Sequence, residues 1–253
     1  MRIKLTMFFL IAAILSACSG ADEAPTLEVL LDRHTQARGG AAAIQAVQRV
    51  VVELEITEPT FRVTGRYVAT REGLMRIDIF ADEQRVFSEA LGPGGGWQMG
   101  GDGTVKDLSQ EGEKALMRGI IGNLYGLHER QALGYRLELV GKTERHGHAV
   151  YEIRETAPDG FSKHLFIDAE TYLITGDVRT SALHPDVDST EQRQETRYMD
   201  HTPTAGVLFG MREEKRDLDT GALMQSTRVS VRAVNPVIDP DRFDRPEQKA
   251  AVQ

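Results

Sequence analysis

Two hydrophobic periods divide the chain. Between Thr26 and Gln48 the apolar residues Leu27, Leu30, Leu31 and Ala37 recur at helical spacing, and Ile44 and Val47 then lie three apart on one side. That spacing predicts a helix from about Thr26, whose hydroxyl can cap it, to Gly39-Gly40, and a second short helix from Ala41 to about Gln48. The period then falls to two. Val52, Leu54 and Ile56 alternate with Glu53 and Glu55; Phe61, Val63, Tyr67 and Ala69 alternate with Arg62, Thr64, Arg66 and Thr70; Met75, Ile77 and Ile79 alternate with Arg76 and Asp78. These read as strands with one apolar face, joined antiparallel by short turns. A glycine-rich stretch, Gly92 to Gly96, leads into a short strand at Trp97. Leu108-Ser109 then opens a helix striped by Met117, Ile120, Ile121, Leu124 and Leu127. Strand patterns resume over Tyr135–Val140, Ala149–Glu155, Phe161–Asp168, Leu173–Thr180, Glu191–Asp200, Val207–Lys215 and Met224–Val234, separated by turn signals such as Pro158-Asp159-Gly160. The prediction is an α+β protein with about 10–11 antiparallel strands in one meandering sheet, two helices near the start and one in the middle.

The first residues follow another logic. Arg2 and Lys4 precede an apolar run, Leu5–Leu15, too short to span a bilayer comfortably, and Leu15-Ser16-Ala17-Cys18 ends it with the only cysteine of the chain. This is the pattern of a lipoprotein signal, in which Cys18 receives diacylglycerol and becomes the first residue after residues 1–17 are removed. Residues 18–25, small and acidic, then form a lipidated tether, residues 26–246 one globular domain and 247–253 a tail. Several acyl chains, at about 0.8 kcal/mol per buried methylene, hold a protein to a membrane without spanning it. Ser19 stands where an aspartate would retain a lipoprotein at the inner membrane, so the expected location is the periplasmic face of the outer membrane of a diderm bacterium.

Charge narrows the classes further. The chain has 253 residues and a net charge of −8; without residues 1–17 it keeps 28 Lys and Arg against 38 Asp and Glu. An acidic domain argues against nucleic acid, whose phosphates need basic patches, so the acyl anchor must do the membrane binding. With Cys18 committed to lipid there is no thiol for a disulfide.

Several local motifs, in this order, resemble the LolA/LolB-like outer-membrane lipoprotein-sorting family. Arg38-Gly39-Gly40-Ala41 and the following "AIQAVQRV" resemble the double glycine that joins the family's two opening helices. "GGGWQM" followed by "VKDLS" resembles its Trp-containing strand and Leu-Ser helix start. "FIDAETYLI" resembles an Asp-x-x-Thr-x-x-Ile hairpin, "RYMDHTPTAGVLFGMRE" its Tyr-Asp to Gly-Val-Leu-Phe segment, and "VNPVIDPDRFDRP" its ending. The likeness runs from about Leu27 to Pro246. It implies a single curved antiparallel half-barrel sheet whose concave face is covered by helices, leaving an apolar cavity for acyl chains. The residue pattern agrees, because one apolar sheet face must be covered and three helices are too few to fill it tightly. Leu54, Ile56, Phe61, Val63, Tyr67, Met75 and Ile77 are the expected ligand-binding residues.

Arg71 continues the odd-numbered face of Phe61, Val63, Tyr67 and Ala69, so it points inward. Gly65 and Arg71 resemble the Gly-x-x-x-x-x-Arg segment of the carrier LolA, whose arginine holds a helical lid shut. That resemblance assigns lid and gating roles to Arg71, Ile120 and Leu124, although Glu72 stands where the carrier has proline. The alternative is a strand-end arginine reaching solvent.

Other candidates carry less. His146-Gly147-His148 flanks a turn and, even with His164, has no third ligand placed by spacing, so no metal is expected. Asp186 and Asp188 lack the glycine and glutamate of a calcium loop. No helix follows Gly92–Gly96 to offer amides to a phosphate. Nucleophilic catalysis lacks a candidate, so the chain reads as a non-enzyme without cofactors. The expected partners are lipid acyl chains or acylated lipoproteins, the membrane through Cys18, and a periplasmic carrier or envelope protein. The expected role is lipid or lipoprotein sorting or transport. The rival is an envelope-stress sensor of the same fold, resembling the sensor domain of RseB.

Overall fold

The computed structural model describes residues 25–247; the signal segment 1–17, Cys18 and the tether up to residue 24 lie outside the described residues, as do residues 248–253. The elements are α1 (Leu27–Ala37), α2 (Ala41–Ala46), β1 (Arg49–Glu58), β2 (Phe61–Thr70), β3 (Met75–Ala81), β4 (Gln84–Gly92), β5 (Gly95–Gly100), β6 (Val105–Asp107), α3 (Gln110–Leu124), α4 (Leu127–Ala132), β7 (Arg136–Arg145), β8 (His148–Thr156), β9 (Ser162–Asp168), β10 (Ile174–Ser181), β11 (Gln192–Met199), β12 (Thr202–Thr204), β13 (Val207–Phe209), β14 (Arg212–Asp217) and β15 (Leu223–Val234), closed by a 3-10 turn at Pro240–Phe243.

Thirteen strands form one open, curved sheet in the order β6-β5-β4-β3-β2-β1-β15-β14-β11-β10-β9-β8-β7. The meander runs outward from β1 to the edge strand β6, and from the other edge, β7, back inward until β15 pairs with β1. The connection from β6 to β7 must therefore cross from one edge of the sheet to the other. It does so as α3 and α4, which is how two helices come to lie across one face.

Part of the excess over the expected strand count has two physical causes. β4 was not legible as a strand because its helix-facing positions, Phe87, Glu89 and Leu91, include a carboxylate that breaks the alternation. The expected strand Val207–Lys215 is two: Val207–Phe209 leaves the large sheet to pair with Thr202–Thr204, so that Val207 and Phe209 pack into the helix-side core. The middle helix also divides. Tyr125 takes an extended backbone, ending α3 at Leu124, and α4 restarts at Leu127 with the Glu129 carboxylate accepting from the Gly126 amide.

Two apolar clusters join helices to sheet. Ile44 and Val47, at the end of α2, and Ile120 and Leu124 of α3 pack on Val50, Val52, Ala69, Met75 and Leu91. Leu30 and Leu31 of α1 and Leu127 of α4 pack on Leu137, Tyr151, Ile153, Leu165 and Ile167. The opposite face of β4–β6 carries a third cluster around Trp97, whose indole donates to the Phe243 carbonyl at 3.1 Å.

The double glycine has a steric cause. Gly39 has φ +122°, and a Cβ there would sit 2.0 Å from the carbonyl oxygen of Gly206, in the β12–β13 turn. The helix pair and the small hairpin thus meet backbone to backbone. Gly39→Ala should lower stability by about 2–4 kcal/mol through overpacking and an unfavourable φ, measured by urea unfolding; a loss under about 0.5 kcal/mol would show that the hairpin simply moves away.

Candidate functional site

The registers of β1, β2 and β3 place the predicted lining residues on one face. Ile56 pairs with Val63, Val52 with Tyr67, and Tyr67 with Ile77; Leu54 lies opposite Gly65, and Met75 opposite Ala69. Phe61, opposite Glu58 at the end of the same face, is 47% exposed and marks the rim. Across this apolar strip lies α3. Its Ile120 and Leu124 are each 1% exposed and pack directly on the strip, so the helix itself covers the surface that a ligand would need. The hydroxyl of Tyr67 accepts from the Asn123 amide of α3 at 3.1 Å, and burial pushes its pKa up to about 12.

The carbonyl end of α3 is held by Arg71. Its guanidinium donates to the Leu124 carbonyl at 2.8 Å, to Ile44 at 2.9 Å and Val47 at 2.7 Å, and to both oxygens of Glu129, at 2.6 and 3.1 Å. The side chain turns inward, as its position in the period of two requires. It also lies over the Tyr125 ring at 4.3 Å, while the Tyr125 hydroxyl donates to the Arg71 carbonyl. Burial opposes the charge of Glu129, but Arg71 and the Gly126 amide outweigh it and hold its pKa below the ordinary value. One guanidinium thus binds the unpaired carbonyls at the ends of α2 and α3 and the first turn of α4.

The amide end of α3 is held from the other side of the fold. The Asp186 carboxylate, in the loop between β10 and β11, accepts from the Ser109 amide at 2.8 Å, and Ser109 itself caps the helix through Gly112. Asp186 approaches so closely that a Cβ on Gly112 would fall 1.8 Å from its oxygen. In the same loop His184 lies 3.0 Å from Glu58, at the end of β1. The aspartate considered above for calcium is therefore a helix cap, and the loop straps α3 to the sheet rim.

The helix-facing surface is not apolar throughout. On β10, β11, β14 and β15 it carries Asp177, Arg179, Gln194, Thr196, Tyr198, Glu213, Lys215, Gln225 and Thr227. Arg179 pairs with Asp177 at 3.0 Å, and the Tyr198 hydroxyl donates to Asp177. Lys215 donates to Gln225 at 2.7 Å and pairs with Glu213, and Gln225 donates to Glu58. Burial opposes the charge of Asp177, but Arg179, Lys163 and Tyr198 outweigh it and hold its pKa low. The sequence reading missed this band, although Arg-Glu-Glu-Lys-Arg-Asp on β14 contains no apolar residue to turn toward a greasy ligand.

The histidine candidates are dispersed. His146 lies 3.0 Å from Glu195 and His164 2.5 Å from Glu152, and among the described residues no group of three or more His, Cys, Asp or Glu is placed to hold a metal. A polar cleft of about 240 Å³ lies on the opposite face of the sheet, among Glu55, Thr57, Arg62, Arg212, Ser226 and Arg228. Among the described residues no helix is long and apolar enough to cross a membrane.

An open curved sheet covered on one face by helices is a LolA-like fold. Three solved structures share it. A DUF1329 family protein from Desulfovibrio piger superposes with a TM-score of 0.60 at 12% identity, covering 88% of this chain and 98% of that one. An outer membrane lipoprotein-sorting protein domain from Vibrio parahaemolyticus gives 0.58 at 10% identity, covering 85% and 94%. A LolA superfamily protein from Nitrosomonas europaea gives 0.56 at 13% identity, covering 88% and 99%. No family model matches the sequence, and no curated protein matches it.

Glu89 supplies a titration test of this face. It lies opposite Ile77 and Gln98, and burial, with a smaller contribution from the Asp186 charge, pushes its pKa up to about 7. A carboxyl raised in the folded state is stabilising below its unfolded value of about 4.5, and that stability is lost as pH rises through 7. Glu89→Gln should therefore gain about 1–3 kcal/mol over the parent between pH 4.5 and 8, measured by denaturant unfolding. Parallel stability curves would place Glu89 in water.

Proposed function

We propose that this protein binds lipid acyl chains, or the acyl groups of a lipoprotein, on the strip of Leu54, Ile56, Val63, Tyr67, Met75 and Ile77, with Phe61 at its mouth, and takes part in lipid or lipoprotein sorting across the periplasm. The observation that carries this reading is the Arg71 clasp. An apolar sheet face is closed by a helix whose end is held by exchangeable hydrogen bonds beside the packing of Ile120 and Leu124. Lifting α3 removes Ile120 and Leu124 from the strip and leaves a surface that only another apolar group can cover, at about 25 cal/mol per Å². Transfer is passive: affinity comes from burial, and release follows when the lid closes or a partner's cavity competes for the chains. The chemistry is binding and no catalytic step is assigned.

The test is displacement of a fluorescent fatty-acid probe from the purified protein. Arg71→Leu keeps the face apolar while removing the clasp, at a cost to the closed state of about 1.5–3 kcal/mol. Backbone amides in residues 110–124 should then exchange faster, and the probe should enter faster, with the sheet still folded. Probe binding that never occurs sinks the acyl reading; unchanged exchange in α3 sinks the clasp.

Cys18 is proposed as the anchor, tethering the domain to the periplasmic face of the outer membrane. Radioactive palmitate should label the parent protein and not Cys18→Ala; equal labelling of both would show that the acyl chains are elsewhere.

A further inference from the structure

The polar band has a pattern that structural ion pairing alone does not require. Charges sit on β10 and β14 and are absent from the helix-facing side of β11 between them, which carries Gln194, Thr196 and Tyr198. Asp177, Thr196 and Lys215 form one cross-strand row, flanked by Arg179 and Glu213. Strands two apart are separated by about 10 Å, enough for a small polar group to lie over β11 and touch both charged strands. Thr196 is fully buried and its hydroxyl has no hydrogen-bond partner. The charged tips are not sealed: the side chains of Arg179, Lys215 and Glu213 keep 21%, 17% and 33% of their surface exposed.

We propose that this band is the headgroup subsite of the same concavity, and that the ligand is an amphiphile with a zwitterionic headgroup. This rests on the acyl-binding reading, and adds to it which lipids are chosen. Around Thr196 the two carboxylates, Asp177 and Glu213, balance the two cations, Arg179 and Lys215, while Asp217, farther along β14, turns its carboxylate to the Asp219 and Thr220 amides of the hairpin turn. An anionic head would bring a charge with no counter-charge into a partly dehydrated site, whereas a zwitterion brings its own. Its phosphate takes Lys215 and the exposed tip of Arg179, which the sealed Asp177 carboxylate holds in place, while its ammonium takes Glu213, the more exposed carboxylate. A bare hydrocarbon would dehydrate these groups and return nothing. The network continues from Lys215 through Gln225 and Glu58 to His184 of the strap, so headgroup and closing loop share hydrogen bonds.

The purified protein is titrated calorimetrically with three twelve-carbon amphiphiles, each below its micelle concentration: dodecylphosphocholine, dodecanoate and dodecyl maltoside. The zwitterion should bind at least tenfold tighter than either other ligand. Glu213→Gln should cut that advantage at least fivefold while leaving dodecyl maltoside affinity within twofold. Equal affinities, a preference for the maltoside or the carboxylate, or a zwitterion preference untouched by Glu213→Gln would each overturn the headgroup assignment and leave the acyl strip standing. Binding of dodecylphosphocholine with neither dodecanoate nor dodecyl maltoside binding would instead overturn the acyl strip; binding of none would overturn both.

Discussion

The Arg71 guanidinium touches more of this fold than any other side chain at the site. Backbone carbonyls at a helix end have no partners within the helix, and three helices end or begin within reach of the turn after β2: α2 at Val47, α3 at Leu124 and α4 at Gly126. A planar group with five donors can serve several of them together, and here it serves Ile44, Val47, Leu124 and Glu129. The alternative for those carbonyls is water, which would need a gap between helices and sheet. Closing the gap with an arginine lets Ile44, Val47, Ile120 and Leu124 reach the sheet and form one cluster. The apolar contact and the polar clasp are two parts of one closure.

The two ends of α3 are treated with opposite signs. A cation sits at its carbonyl end and the Asp186 carboxylate at its amide end, which is the arrangement the helix dipole favours. Both partners come from outside the helix, from the turn after β2 and from the loop after β10. The lid is therefore positioned by distant parts of the chain and can be released from either end, whereas the strands beneath it are held by continuous ladders.

Legibility in the sequence followed the source of each signal. The apolar face of β1–β3 was readable because alternation is set by the pleat and survives any arrangement of the strands, and Arg71's inward direction followed from the same count. Gly39-Gly40 was readable as a helix stop, but the reason, the Gly206 carbonyl, is a contact across 167 residues that no local pattern encodes. Glu129 carries no local signal and Asp186 suggested only a faint calcium motif, since what makes them structural is the guanidinium or amide brought to them by topology. β4 escaped because Glu89 occupies a face where apolar residues were expected, and the small hairpin because Val207 and Phe209 look like strand residues of the large sheet.

The polar band was present in the sequence and was not weighed. A strand that reads Arg-Glu-Glu-Lys-Arg-Asp must turn three charged side chains to each face wherever it sits. On an outer edge that costs nothing. On β14, between β11 and β15 in the middle of the sheet, one of those faces looks toward the helices. The concavity therefore has two chemistries, an apolar strip under α3 and an array of paired charges beside it. A curved sheet needs only the first to bind hydrocarbon. The second dehydrates charged groups at a cost that an apolar substitution would remove, so it is the part of the concavity whose composition the fold alone does not explain.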